Sequence, residues 1–235
     1  MINFLTSQYR PYRASVHPVH RMILIAFLVV ANVNSRAAVP QTDTIPTHRV
    51  IKGQAQGTTY LIRYLPTSQT IGKHQIDSLL YEIDRSLSLY RKDSKISQLN
   101  RANTPFPSDP HLAKVLGTAM ELLQLSDGSF DFRLFKLSQA WGFGPAPAKR
   151  HPSAFKIKRL KPKPSDSVWQ VGSMIHKSHP RMQIDLDGIA QGYSVDVITS
   201  FLEERHINHY MVELGGEIRT SGHRSDGSPW RIGVE

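Results

Sequence analysis

Apolar residues recur along this chain with two different periods, and the changes of period divide it into elements. Ile76, Leu79, Leu80, Ile83 and Leu87 stand three or four apart, the spacing that places side chains on one face of a helix. Leu112, Val115, Leu116, Ala119, Leu122 and Leu123 repeat that spacing. This second helix is punctuated at both ends: Ser108 or Asp109 can cap it, Pro110 suits its first turn, and Gly128 follows it. A third stripe, Ile189, Tyr193, Val197, Ile198, Phe201 and Leu202, predicts a helix over 189–205. Elsewhere the period shortens. Residues 49–64 read as two strand segments broken at Gly57, and Ile175, residues 182–186 and residues 210–214 also read as strands. After Gly215-Gly216 the chain alternates through Glu217-Ile218-Arg219-Thr220 and turns at Ser225-Asp226-Gly227. It then re-enters a strand with Trp230, Ile232 and Val234 on one face. A strand reaching Glu235 without closing partners predicts that the domain continues past that residue. Helices alternating with strand pairs, without a solenoid or propeller repeat, indicate one domain of α/β or α+β type over residues 49–235.

Composition adjusts this picture at the N-terminus. Arg10, Arg13 and Arg21 precede the apolar run of residues 22–33, and Ser35-Arg36-Ala37-Ala38 follows it. A basic zone, an apolar zone and small residues, in that order, predict an export signal over 1–38, with a polar, proline-bearing linker over 39–48. About a dozen apolar residues fall short of the roughly twenty that cross a bilayer, so cleavage is favoured over an uncleaved anchor. Met22 offers an alternative start with the same outcome. The segment before Ala38 holds four arginines and no acid, so its removal lowers the net charge from +10 to +6. Much of the remaining excess lies in Lys149, Arg150, Lys156, Lys158, Arg159, Lys161 and Lys163, in a proline-rich stretch read as a solvated loop. Aromatic residues are too sparse there for a nucleic-acid surface. The chain has no cysteine, which excludes disulfides, thiolate catalysis, cysteine-held zinc and a lipid on an N-terminal cysteine. His176, His179, His206, His209 and His223 read as surface residues rather than zinc ligands.

The densest chemistry lies in Asp185-Leu-Asp-Gly-Ile-Ala-Gln-Gly-Tyr193, where a helix begins among glycines. Free amides and the helix dipole favour a phosphate at such a start, yet Asp185 and Asp187 repel one. Two readings remain open: a site for a cation or for a ligand rich in hydroxyls and amides, or a capped strand-to-helix turn.

The order of the motifs narrows the choice. The first half carries Gln56-Gly57-Thr58-Thr59-Tyr60, Leu87-Ser88-Leu89-Tyr90 with Ser94-Lys-Ile-Ser-Gln-Leu-Asn100, and Gly128-Ser129-Phe130-Asp131. Trp141-Gly-Phe-Gly-Pro145, residues 184–196 and Glu213-Leu-Gly-Gly-Glu-Ile218 follow. Together they resemble the ApbE family of flavin transferases from about Val50 to Glu235. The resemblance implies an α+β fold, related to the T-fold, with antiparallel sheets packed against helices. It also implies an exported, magnesium-dependent enzyme that takes FAD as substrate. Such an enzyme attaches FMN through a phosphoester to a threonine or serine of a membrane redox-complex subunit and releases AMP. FAD pyrophosphatase activity and flavin binding without catalysis are the alternatives. Residue by residue, the family's flavin-binding positions fall on Gln56, Tyr90, Ser129, Phe130, Asp131, Asp185 and Gln191, and its metal-contacting position on Gly188, through a backbone carbonyl. Gln56 stands where methionine is common and Gln191 where lysine or glutamate is common. Family members continue into a further metal-binding segment, so the resemblance implies an incomplete domain here, and it leaves Asp187 without a role.

Overall fold

The computed structural model describes residues 47–146 and 151–233, so the proposed export segment and most of the linker lie outside the described residues. In chain order the elements are strands β1 (Arg49–Ala55) and β2 (Thr58–Tyr64), helices α1 (Lys73–Leu87) and α2 (Lys95–Arg101), and strand β3 (Phe106–Pro107). Helices α3 (Pro110–Leu125), α4 (Phe135–Trp141) and α5 (Ala154–Leu160) come next, then strands β4 (Val168–Val171) and β5 (Met174–Lys177). Helix α6 (Asp187–Glu203) and strands β6 (Tyr210–Leu214) and β7 (Glu217–Ser221) complete the fold. The strands form a four-stranded sheet in the order β1-β2-β6-β7 and a three-stranded sheet in the order β3-β5-β4, with every pairing antiparallel. This is an α+β fold.

The strand alternation decides which face of the larger sheet is covered. Tyr60, Ile62 and Tyr64 of β2 and Tyr210, Val212 and Leu214 of β6 are buried against Ile76 and Leu80 of α1 and Val195, Ile198 and Leu202 of α6. A second cluster gathers Ile83 and Leu87 of α1, Ile96 and Leu99 of α2, Leu112, Val115 and Leu116 of α3, and Phe132, Ile175, Ile184 and Leu186. Ile189, Tyr193 and Val197 pack against this second cluster, so α6 is apolar on two sides and serves both cores. Helix α3 begins as its sequence predicts: Asp109 caps it, accepting from the Leu112 N–H at 2.8 Å, with Pro110 in the first turn.

Three expectations are corrected. Residues 182–186 form no strand. Their extended backbone is satisfied by a side chain instead: Asn100 Nδ2 donates to the Ile184 carbonyl at 2.9 Å and Asn100 Oδ1 accepts the Ile184 N–H at 2.8 Å. Residues 228–233 also lie outside any strand, and Val234 lies outside the described residues. Trp230 is held there by donating from Nε1 to the Ser221 carbonyl at 2.9 Å and by packing on His48. The basic proline-rich stretch is not wholly loop. Ser153 accepts from the Lys156 N–H and caps α5, which exposes most of its residues and buries none.

Candidate functional site

A cavity of about 660 Å³ opens where the β1–β2 turn, the end of α1 and the start of α6 converge. Gln56 and Gly57 line it from the turn, and Ile83, Asp84 and Leu87 from α1. Ser88 and Tyr90 line it from the segment after α1, and Asp187, Ala190 and Gln191 from α6. The turn is tight because both of its residues are left-handed, with φ of 52° at Gln56 and 75° at Gly57, the conformation that matches the twist of a two-residue hairpin. A glutamine in that region is strained, at a cost on the order of 1 kcal/mol. Its side chain supplies an offset: Nε2 donates to Ser194 Oγ at 2.8 Å, and this fully buried hydroxyl donates to the Ala190 carbonyl at 2.8 Å. The hairpin is thereby clipped to α6. Gln56 Oε1 is buried and has no hydrogen-bond partner.

Opposite the hairpin, the first turn of α6 is set by Asp185. Its Oδ1 accepts the Asp187 N–H at 3.0 Å, and its own N–H donates to the Phe132 carbonyl at 2.7 Å. Burial raises the Asp185 carboxyl above the ordinary carboxylate value, partly countered by the Asp187 amide and the Ser138 hydroxyl. Burial and the neighbouring Asp185 charge push the Asp187 carboxyl up to about 6. Asp187 is exposed to solvent, yet it stands at the mouth of a concavity where protein atoms crowd out part of its hydration, which accounts for the burial effect at an open position. Burial likewise raises Asp84 on the facing helix, opposed by the charge of Arg91 and by the Gln56 amide. Gln191 lies over Gly215 in the β6–β7 turn. A Cβ at Gly215 would sit 3.0 Å from Gln191 Nε2 and 2.8 Å from Thr58 Cγ2, and φ there is +59°. Only glycine meets both demands.

Three of the residues singled out by resemblance, Gln56, Tyr90 and Gln191, share this cavity. Tyr90 also lines a second recess of about 320 Å³ with Phe135, Arg101 and Pro145, so it borders both. Phe130 packs close to Gly188, its Cε2 3.5 Å from where a Cβ would be. Asp185 fixes the helix start beside the cavity. Ser129 and Asp131 are not among the residues that line it. Asp131 is engaged by Arg133, whose Nε and Nη2 donate to Oδ1 and Oδ2 at 2.8 and 2.7 Å, while Nη1 reaches the Asp166 carbonyl at 2.7 Å. That fork fixes the loop before α4. Among the described residues no three His, Cys, Asp or Glu side chains stand together as a metal site, and Gly188 can contribute only its carbonyl.

Sequence reasoning missed Asp84 and gave Asp187 no role, although both carboxylates line the cavity. Asp84 had a signal: it directly follows Ile83 at the edge of an apolar stripe, where a carboxylate is costly unless it faces a polar space. Ser194 was also missed, and no local pattern marks it.

An α+β fold with a cavity of mixed polar and apolar lining at a helix start has the kind of concavity in which proteins hold small organic ligands. Comparison with known proteins supplies the family. The ApbE family profile matches residues 56–235, and the chain belongs to that family. It is similar to the FAD:protein FMN transferase of Vibrio cholerae, at 35% identity over 194 residues, covering 79% of this chain and 58% of the relative. The FAD:protein FMN transferase of Haemophilus influenzae is 32% identical over 199 residues with the same coverages. Among solved structures, the flavin transferase ApbE from Vibrio cholerae superposes with a TM-score of 0.74 at 33% identity, over 80% of this chain and 63% of that one. The chain thus spans 58% of the length of these curated relatives.

Proposed function

We propose that this chain forms the FAD-binding part of an FAD:protein FMN transferase. In the reaction, a threonine or serine hydroxyl of an acceptor protein attacks the flavin-side phosphorus of FAD. A new P–O phosphoester forms and the P–O bond within the pyrophosphate breaks. AMP leaves with the bonding electron pair, and the hydroxyl proton is released. The observation that carries this reading is the cavity at the start of α6, bounded by Gln56, Tyr90 and Gln191, in a chain that belongs to the ApbE family. Gln191 and Gln56 offer amide groups to a nucleotide, and Tyr90 offers an aromatic face.

The cavity lining holds two carboxylates and no cationic side chain, so it does not attract a pyrophosphate unaided. Of the lining residues only Asp84 and Asp187 offer carboxylate oxygens, the donor type that suits a hard cation keeping several waters, as magnesium does. Those residues would hold the ion, which when bound offsets the charge that builds on the phosphates. In this reading the side chains of Gln56, Tyr90 and Gln191 position the flavin nucleotide in the cavity.

The acceptor in this reading is a subunit of a membrane redox complex. Export by the N-terminal segment would place the reaction in the periplasm or, with that segment left uncleaved as a tether, at the periplasmic face of the inner membrane. The test is a titration of FAD with and without magnesium, followed by chromatography of the products and in-gel flavin fluorescence of an acceptor polypeptide. A fluorescent acceptor together with magnesium-dependent AMP supports transfer. Free FMN and AMP with no labelled acceptor would indicate a pyrophosphatase, and FAD binding without AMP a flavin-binding protein.

A further inference from the structure

The end of α4, the turn after it and the outer side of α5 carry exposed residues that are not among those lining the cavity at the start of α6. Phe143 and Phe155 are each 76% exposed, and Trp141, at the end of α4, is 42% exposed. A single exposed aromatic is ordinary, but here Trp141 ends α4, Phe143 lies two residues beyond it, and Phe155 stands on α5, a helix in contact with α4. Helix α5 explains its own part: Ile157 and Leu160 turn inward, while Phe155, Lys158 and Arg159, spaced i, i+3 and i+4, share the outward side. Lys156, Lys161 and Lys163 are exposed beside them. Among the described residues none of these five cations is ion-paired. The carboxylate of Asp166 is committed elsewhere, with Oδ2 accepting the Lys163 backbone N–H at 2.9 Å and Oδ1 facing His179 Nε2 at 3.2 Å.

Protruding aromatics set among unpaired cations match the two layers of an anionic bilayer surface. Trp and Phe rings seat at the headgroup boundary, and Lys and Arg are drawn to lipid phosphates. We propose that the α4–α5 face is a membrane-surface contact for anionic lipid headgroups, separate from the apolar run at residues 22–33. The charge complementarity sets the choice of occupant, and rings exposed to this degree suit insertion between headgroups rather than the lining of a protein groove.

The experiment uses the full chain and phosphatidylcholine vesicles with bromine-labelled acyl chains, with and without phosphatidylglycerol. The Trp141 contribution is read as the difference in fluorescence quenching between the wild type and Trp141→Phe. Trp141 is expected to be quenched only when phosphatidylglycerol is present. Joint replacement of Lys156, Lys158, Arg159, Lys161 and Lys163 by glutamine should weaken that interaction at least about tenfold, since each cation near an anionic surface contributes. Because all five are exposed, the charge variant keeps its fold, and its circular dichroism should match the wild type. Sedimentation with vesicles while Trp141 stays unquenched would mean that the N-terminal run alone binds, and would overturn the proposal. Equal quenching by neutral vesicles, or quenching unaffected by the charge variant, would overturn it as well. So would a dimer that hides Trp141 from quencher, or displacement of the vesicles by a single-stranded oligonucleotide.

Discussion

Asn100→Ala isolates the side chain that replaces a missing strand. Asn100 is 6% exposed and Ile184 fully buried, so the alanine variant leaves one buried N–H and one buried carbonyl without partners. Each unsatisfied group costs about 1–3 kcal/mol, and part of that is recovered if the backbone shifts, so a net loss of about 3 kcal/mol is expected. For a domain of this size that corresponds to a melting temperature lower by roughly 6–12 °C. Asn100→Asp sharpens the test, because it keeps the acceptor for the Ile184 N–H but turns a carboxylate oxygen toward the Ile184 carbonyl. Burial and that carbonyl would raise the folded pKa of the new carboxyl above its unfolded value. Stability is then retained at low pH, where the protonated acid donates to the carbonyl, and is lost as pH rises through the folded pKa. Thermal and urea melts of the wild type and both variants across acidic to neutral pH provide the assay. The reasoning is refuted if the alanine variant lies within about 0.5 kcal/mol of the wild type, the range of ordinary surface changes. It is equally refuted if the aspartate variant is no more stable in acid than at neutral pH, relative to the wild type.

Three further outcomes are expected. The Asp187 carboxyl is raised from 3.8 to about 6, so the folded state binds the extra proton and stability falls as pH rises through that window. Asp187→Asn should therefore stabilise the unliganded protein above about pH 6, by on the order of 1 kcal/mol once solvent screening is allowed for, with the gain absent below pH 3.8 in melts across pH. Gly215→Ala meets Thr58 and Gln191 at a φ of +59°, whereas Gly227→Ala, at +76°, meets nothing within 4 Å. The first should lose about 2 kcal/mol or more and weaken FAD binding, and the second about 1 kcal/mol with binding unchanged, measured by denaturant melts and FAD fluorescence. Tyr90, 66% exposed, should be replaceable by alanine within about 0.5 kcal/mol of stability, while FAD titration shows weaker binding.

The three long helices α1, α3 and α6 and the larger sheet were legible because their signals are local, whereas the seven-residue helices α2, α4 and α5 carry too short a stripe to read. The stripe of α3 with Asp109 and Pro110 at its start, and the alternation through residues 210–214, are set by neighbours in sequence. Residues 182–186 misled because alternation reports which side chains are buried, not what the backbone bonds to. Here the partner is a side chain 84 positions away. Trp230 and Ile232 misled for the same reason, since an indole hydrogen bond replaces a ladder. At the site, Gln56 and Gln191 were reached through the family resemblance alone, and Asp84 reaches the cavity only because α1 packs on α6. Asp131 shows the converse: its motif is visible in the sequence, while its engagement by the arginine two residues on is not.

Helix α6 belongs to both hydrophobic clusters, and its first turn forms one wall of the cavity. Neither cluster can then loosen alone without stripping α6 of half its packing, so the two halves melt as one cooperative unit. Any ligand that immobilised the first turn of α6 would therefore damp fluctuations in the four-stranded sheet and in the helical half alike.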